Sequence, residues 1–220
     1  MTERQNVINH IIKKYNYDNP SYLEIGVWYG ETFKNVNATI KDGVDPGQYC
    51  DCNYVNYKMT SDEFFENHIP KKYDIIFIDG LHTAHQVSKD LQNAIKNLND
   101  GGVIILDDVY PHNENEQNAL DLNKIGSQTG DVWKAVYNVL DFLIEISDEI
   151  LFVPDVERGN LVFKIKKNNI KNITIDDTIP TMNSDGWYNG DDKEWNKFTY
   201  NKDFVNYFIK ISEFSYTINN

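Results

Sequence analysis

The chain has 220 residues, 40% of them hydrophobic, which suits one α/β domain with appendages and a full core. No apolar run approaches the ~20 residues of a membrane helix. A net charge of −13 disfavours nucleic acid and anionic lipid as partners. The N-terminal stretch MTERQNVINHIIKKYN lacks the apolar centre of a signal peptide, so a cytoplasmic location is expected. Cys50 and Cys52 read as loop thiols in a reducing compartment rather than as half of a metal site, because no second Cys/His pair has matching spacing.

Val7, Ile8, Ile11, Ile12 and Tyr15 mark a first amphipathic helix, which Asp18-Asn19-Pro20 breaks. Tyr22–Ile25 reads as a strand running into Gly26-Val27-Trp28-Tyr29-Gly30, followed by a helix over ETFKNVNATI. A strand, a glycine-bearing turn and a helix open a nucleotide-binding α/β unit. The Gly26-to-Gly30 spacing is not the Gly-x-Gly-x-x-Gly of dinucleotide enzymes, which argues against a nicotinamide dehydrogenase. Glu24 would sit poorly beside a phosphate and suits a cationic or hydrogen-bond-donating ligand. A second, short strand around Gly43-Val44 ends at Asp45-Pro46-Gly47. Asp45, nineteen residues past Gly26, can accept from both hydroxyls of a ribose, or can simply make a turn. Tyr54–Met59 is a plausible third strand. Thr60 or Ser61 can cap the helix that begins at Phe64-Phe65.

The stretch from Tyr73 to Pro111 organises the chain. Asp74–Ile78 is an apolar strand ending in Asp79-Gly80. Val87, Leu91, Ala94, Ile95 and Leu98 recur at helical spacing, Gly101-Gly102 is expected to stop that helix, and Val103–Leu106 is a second strand ending in Asp107-Asp108. Parallel strands bring Asp79, Asp107 and Asp108 to one carboxyl edge, where open α/β sheets bind ligands. Like charges held together there call for a proton or a cation, and oxygen-only ligands suit a hard divalent cation such as magnesium. His82, three residues past Asp79, is a candidate general base, since an ordinary imidazole titrates near 6.5. It could equally contact substrate or start the helix.

Pro111–Gly130 is polar and irregular, as expected of a lid or substrate loop, with His112, Asn113 and Glu114 nearest the acidic edge. A helix follows from Gly130-Asp131, burying Val132, Trp133, Val136, Tyr137, Leu140 and Leu143. Glu149–Val153 and Leu161–Ile165 then form an antiparallel pair. Residues 171–220 crowd aromatic side chains such as Trp187, Trp195, Phe204 and Tyr207 into a polar background, with a helix expected over 201–214. These could stack on a sugar ring, cover the site, or pack on the domain or a second subunit. Packing on the same domain is the expectation, and a homo-oligomer stays open.

YLEIGVWYG, VDPG, MTSDEFF, YDIIFIDGLHTAHQVSKDL and GGVIILDDV, taken in order, resemble the successive motifs of class I S-adenosylmethionine-dependent methyltransferases. Within that superfamily they resemble the small-domain group that holds many sugar and natural-product O-methyltransferases. The resemblance covers roughly residues 20 to 165. It implies a Rossmann-like, seven-stranded, mostly parallel sheet with helices on both faces and an antiparallel closing hairpin. Residues 1–170 would be the cofactor-binding domain and 171–220 an extension of it. Glu24, Gly26, Gly30, Asp45, Ser61, Asp62 and Asp79 match the S-adenosylmethionine-binding positions. Asp79, Asp107 and Asp108 match the places where metal-dependent relatives hold magnesium or another divalent cation. Asp79 and, from its position alone, His82 are the candidate catalytic residues. The implied activity is methyl transfer to a hydroxyl oxygen of a small, polar, sugar-like acceptor. The alternatives are a metal-independent methyltransferase with Asp79 or His82 as base, and a cofactor-binding but inactive interaction module.

Overall fold

A computed structural model describes residues 3–47, 53–67, 71–111, 129–154, 156 and 158–167. The elements run α1 (Arg4–Lys14), β1 (Ser21–Ile25), α2 (Glu31–Asn35), β2 (Ile40–Val44), α3 (Ser61–Asn67), β3 (Tyr73–Ile78), α4 (Ala84–Lys96), β4 (Leu98–Leu106), α5 (Val132–Ile146), β5 (Ser147–Val153) and β6 (Asn160–Ile165). The cysteine pair, the segment from His112 to Glu114, and the aromatic C-terminal stretch all lie outside the described residues.

Among the described residues, six strands form one mixed sheet in the order β2-β1-β3-β4-β6-β5. The first four are parallel, and β6 joins β4 and β5 antiparallel. β1 is buried along its whole length, polar Ser21 and Glu24 included, and β3 at every residue but Asp74. Side chains nevertheless alternate into two clusters. Leu23, Ile25, Ile76, Ile78, Ile104 and Leu106 pack with Val87, Leu91 and Ile95 of α4 and Val136, Leu140 and Leu143 of α5. Tyr22, Ile75, Phe77, Val103 and Ile105 pack with Val7, Ile8, Ile11 and Ile12 of α1 and Phe33 of α2. Each fully buried aliphatic side chain contributes on the order of 1.5–3 kcal/mol.

The parallel register fixes the geometry of the edge. Ile25 stands opposite both Val44 and Ile78, and Ile78 opposite Leu106, so four strand ends are level. The residues that follow form a row: Asp45, Gly26, Asp79, Asp107. Backbone bonds stitch it, from Gly26 N–H to the Val44 carbonyl (2.9 Å), Asp79 N–H to Ile25 (2.9 Å) and Asp107 N–H to Ile78 (3.1 Å).

Three elements differ from the sequence reading. The expected third strand at Tyr54–Met59 is reduced to one parallel bridge, Val44 with Tyr57. The Asn56 side-chain oxygen takes the Gly43 N–H (2.8 Å), filling a position that a strand carbonyl would otherwise occupy. The helix after Gly30 ends at Asn35, because Val36 turns extended, and Ile40 opens β2 instead. Gly101-Gly102 does not stop α4. That helix closes at Asn97, whose N–H turns back to Asn93 and Ala94, and β4 starts at Leu98 and runs through the glycine pair with a register shift against β3.

Candidate active site

The turn after β1 approaches the end of β3 so closely that only glycine fits. A Cβ on Gly26 would lie 1.9 Å from the Asp79 carbonyl oxygen, and its φ of +86° is left-handed. The turn continues through Trp28, also left-handed at φ 48°, to Gly30, the N-cap of α2. Asp45 ties this turn to the end of β2, its carboxylate accepting from the N–H of Trp28 (3.0 Å) and of Gly47 (2.7 Å). Trp28, Tyr29 and, on the loop after β3, Leu81 remain exposed above the edge.

Glu24 lies beneath the turn, buried, and accepts a hydrogen bond from the Tyr22 hydroxyl. Burial pushes its carboxyl up to about 8. Tyr22 favours the ionised form against this, and Asp79 adds to the upward shift.

Asp79, His82 and Asp108 converge, with one ligand atom from each within 4.8 Å of the others. His82 Nε2 lies 3.1 Å from Asp108 Oδ2 and 3.4 Å from Asp79 Oδ1. The His82 loop rests on Gly130, where a Cβ would lie 1.8 Å from the His82 carbonyl oxygen. Asp131, next in sequence, accepts from the Ala84 N–H (2.7 Å) and so fixes the start of α4 beside the loop.

Asp107 points elsewhere. Its carboxylate is paired with the Arg4 guanidinium and accepts from the Asn160 side-chain amide (2.5 Å). Burial, then Asp79 and Asp108, push Asp107 well above the usual carboxylate range, and Arg4 opposes them. Asp108 escapes to the other side by a left-handed backbone at φ 56°, which aspartate tolerates. The structure therefore brings Asp79, Asp108 and His82 within 4.8 Å of one another, and Asp107 adjoins the group through Arg4, whose Nε it shares with Asp79. Arg4, 3.5 Å from Asp79 Oδ2, is the residue that sequence reasoning missed.

Ser61 and Asp62 open α3 facing α4. Gln86 Nε2 donates to Ser61 Oγ (3.1 Å), Asp62 Oδ1 (2.9 Å) and Asp90 Oδ1 (3.1 Å), and Lys89 holds Asp62 Oδ2 (2.9 Å). Asp90 is fully buried, and burial raises its carboxyl to about 7. The folded protein thus keeps a proton on Asp90 over a range where the unfolded chain, with an ordinary carboxylate, has lost it. Stability contributed here is present in acid and is lost as pH rises towards 7. Asp90→Asn is expected to match wild type in chemical denaturation near pH 4 and to exceed it by about 2 kcal/mol near pH 8.

A family model for a methyltransferase domain (Methyltransf_24) matches residues 48–109. Among solved structures, an O-methyltransferase from Bacillus cereus in complex with S-adenosylhomocysteine aligns at 16% identity over 74% of this chain and 80% of that one, with a TM-score of 0.50. The chain shares the fold of this O-methyltransferase. The chain also aligns with TomG of Streptomyces achromogenes, an O-methyltransferase involved in tomaymycin synthesis and solved with S-adenosylmethionine. That match has 13% identity, covers 74% of this chain and 79% of that one, and has a TM-score of 0.50. Identities this low carry the fold and nothing finer. No curated protein sequence matches the chain significantly. No helix among its described residues is long and apolar enough to cross a membrane.

Proposed function

We propose that this methyltransferase moves the methyl group of S-adenosylmethionine to a hydroxyl oxygen of a small, polar, sugar-like acceptor. The observation that carries the reading is the level row of strand ends. The Gly26 turn lies between Asp45 on one side and the Asp79–His82–Asp108 group on the other. In this reading the methionine end of the cofactor lies along Gly26–Gly30 near Glu24 and Asp79. The ribose hydroxyls meet Asp45, whose carboxylate has lone pairs beyond the two N–H bonds it accepts. Ser61 and Asp62 border the adenine. The single bridge at Tyr57 is the remnant of a seventh strand, and the helices divide between the two faces of the sheet.

Two carboxylates and an imidazole within 4.8 Å suit a divalent cation, magnesium by the oxygens and a transition ion by the nitrogen. Asp79 and Asp108, with His82, would hold it, and when bound it supplies orientation and acidification of the acceptor hydroxyl. Asp107 supports the group from behind through Arg4 and Asn160. The acceptor oxygen attacks the methyl carbon in line, the carbon–sulfur bond breaks, and S-adenosylhomocysteine leaves. A second reading is favoured by His82 Nε2 lying within reach of both Asp79 and Asp108. Here His82 takes the hydroxyl proton, and the two carboxylates stabilise the imidazolium without a metal. The sheet-edge carboxylates have no evident task in an inactive module.

Calorimetric titration with S-adenosylhomocysteine, with magnesium and with a chelator, tests the reading. Binding is expected to be lost in Asp45→Ala and kept in Asp108→Asn. With acceptor, turnover abolished by chelation supports the cation, and turnover that survives it supports His82 acting alone. Absence of cofactor binding in every condition would sink the proposal.

A further inference from the structure

We infer that Gln86 and Asp90 are positioning residues for the adenine end of the cofactor: without touching the ligand, they fix the start of α3 against α4. The inference rests on the cofactor reading above, in which Ser61 and Asp62 border the adenine, and names what holds those two residues in place. Both belong to the first turn of α3, a helix of seven residues that is too short to hold its own shape, so its place depends on what it packs against. Phe64 supplies the apolar part of that contact. The polar part converges on one atom. Gln86 Nε2, near the start of α4, lies 3.1 Å from Ser61 Oγ, 2.9 Å from Asp62 Oδ1 and 3.1 Å from Asp90 Oδ1.

An amide nitrogen carries two hydrogens, so it cannot serve three acceptors at once. The Ser61 hydroxyl, which also bonds Asp90, is the one that can do without, leaving the two hydrogens for the two carboxyl groups. Two carboxylates on one nitrogen repel unless one of them keeps a proton. The surroundings choose which. Burial raises the Asp62 carboxyl, but Gln86 and Lys89 outweigh it and hold the group below its ordinary range. Asp90 is fully buried, and burial pushes it up to about 7 against Ser61 and Gln86, with Asp62 adding to the rise. Its second oxygen, Oδ2, has no hydrogen-bond partner among the described residues and lies 3.8 Å from where a Cβ on Gly80 would stand. A bare oxygen in that place costs less on a neutral acid than on a carboxylate. The other charges on the elements around α4 face one another: Lys89 and Asp62 (2.9 Å), Lys134 and Asp131 (3.3 Å), His82 with Asp79 and Asp108, and Arg4 with Asp107. His85 acts on Asp62. A proton on Asp90 therefore keeps Asp62 and the start of α3 in place, and its loss sets Asp90 against Asp62 for the same amide.

The test is calorimetric titration of wild type, Gln86→Leu and Asp90→Asn with S-adenosylhomocysteine at about pH 6 and about pH 8, with hydrogen exchange over residues 61–67 read on the same samples. Gln86→Leu is expected to bind about tenfold more weakly than wild type at the lower pH. Asp90→Asn keeps an uncharged carbonyl acceptor in the same place. It is expected to match wild type within about twofold at the lower pH and to bind about tenfold more tightly at the higher. With the carboxyl at about 7, only about a tenth of wild type still carries the proton there. Taking the ratio of the two affinities cancels Glu24, whose own titration is common to both proteins. Ligand is expected to slow exchange over residues 61–67 in wild type and much less in Gln86→Leu. A merely structural clamp would move the unfolding midpoint and leave both the affinity of the folded protein and the pH ratio unchanged. That result, or wild-type exchange over residues 61–67 that ligand does not slow, would overturn the inference and leave the cofactor reading standing. If Gln86→Leu does not fold, the Asp90→Asn ratio decides alone. Failure of wild type to bind at either pH would overturn both, and that result comes from the wild-type titration alone.

Discussion

Gly26→Ala is expected to lower stability by about 3 kcal/mol and to weaken S-adenosylhomocysteine binding by about 100-fold. Two costs add. The backbone at Gly26 is left-handed at φ +86°, which costs a side-chain-bearing residue on the order of 1–3 kcal/mol. The new methyl group would also sit 1.9 Å from the Asp79 carbonyl oxygen and 2.7 Å from Gly80 Cα, both backbone atoms that no rotamer change can move. Overpacking of this kind costs about 1–3 kcal/mol more. The clash is relieved only if the turn lifts from the end of β3, and displacing a binding group by ~1 Å is enough for a loss of about two orders of magnitude. Denaturant melts and titration of the same variant check the two effects separately. Wild-type binding with unchanged stability would show that the turn is not clamped as described.

How legible the fold was depended on how local its causes are. β3 and the main part of β4 announce themselves because each is an apolar run ending in a carboxylate, β1 because Tyr22-Leu23 and Ile25 lead into the Gly26 turn, and the helix over Ala84–Lys96 because Val87, Leu91, Ala94 and Ile95 fall on one face. Tyr54–Met59 has the composition of a strand, yet Asn56 satisfies Gly43 with a side chain, a choice that β-propensity does not record. The glycine pair at Gly101-Gly102 looked like a helix stop, whereas the chain had already turned at Asn97.

The candidate site divides in the same way. Asp45, Gly26 and Asp79 could be placed from strand ends alone, because parallel register makes those ends level. Asp107 and Asp108 were read as a pair, although neighbouring residues at a strand end tend to point to opposite sides. The structure sends Asp107 to Arg4 and Asn160, and Asp108 to His82. Arg4 itself left no sequence signal, since its partner is 103 residues away and the first residue of an amphipathic helix normally points to water. Gly130 was legible as a helix start, but its role as the floor under His82 depends on a contact across the fold.

His82→Ala is expected to lower turnover by about 10²–10⁴-fold while leaving cofactor binding within about twofold of wild type. The imidazole lies on the loop beyond β3, and Nε2 faces Asp79 and Asp108 rather than the Gly26 turn or Asp45. Its loss removes the imidazole from the cluster and leaves Glu24, Gly26 and Asp45 in place. Asp45→Ala should do the reverse, weakening the cofactor strongly and reducing turnover only as far as saturation is lost. Single-turnover methyl transfer at saturating S-adenosylmethionine separates the two, because it reads chemistry after binding is complete. Asp108→Asn distinguishes what His82 is doing. If His82 acts as a base between two carboxylates, Asp108→Asn retains part of the turnover and no added cation restores the rest. If the cluster holds a cation, Asp108→Asn raises the magnesium concentration needed for half-maximal rate, and excess magnesium recovers activity. A His82→Ala enzyme that turns over at the wild-type rate would remove His82 from the chemistry under either reading and leave Asp79 as the remaining candidate base.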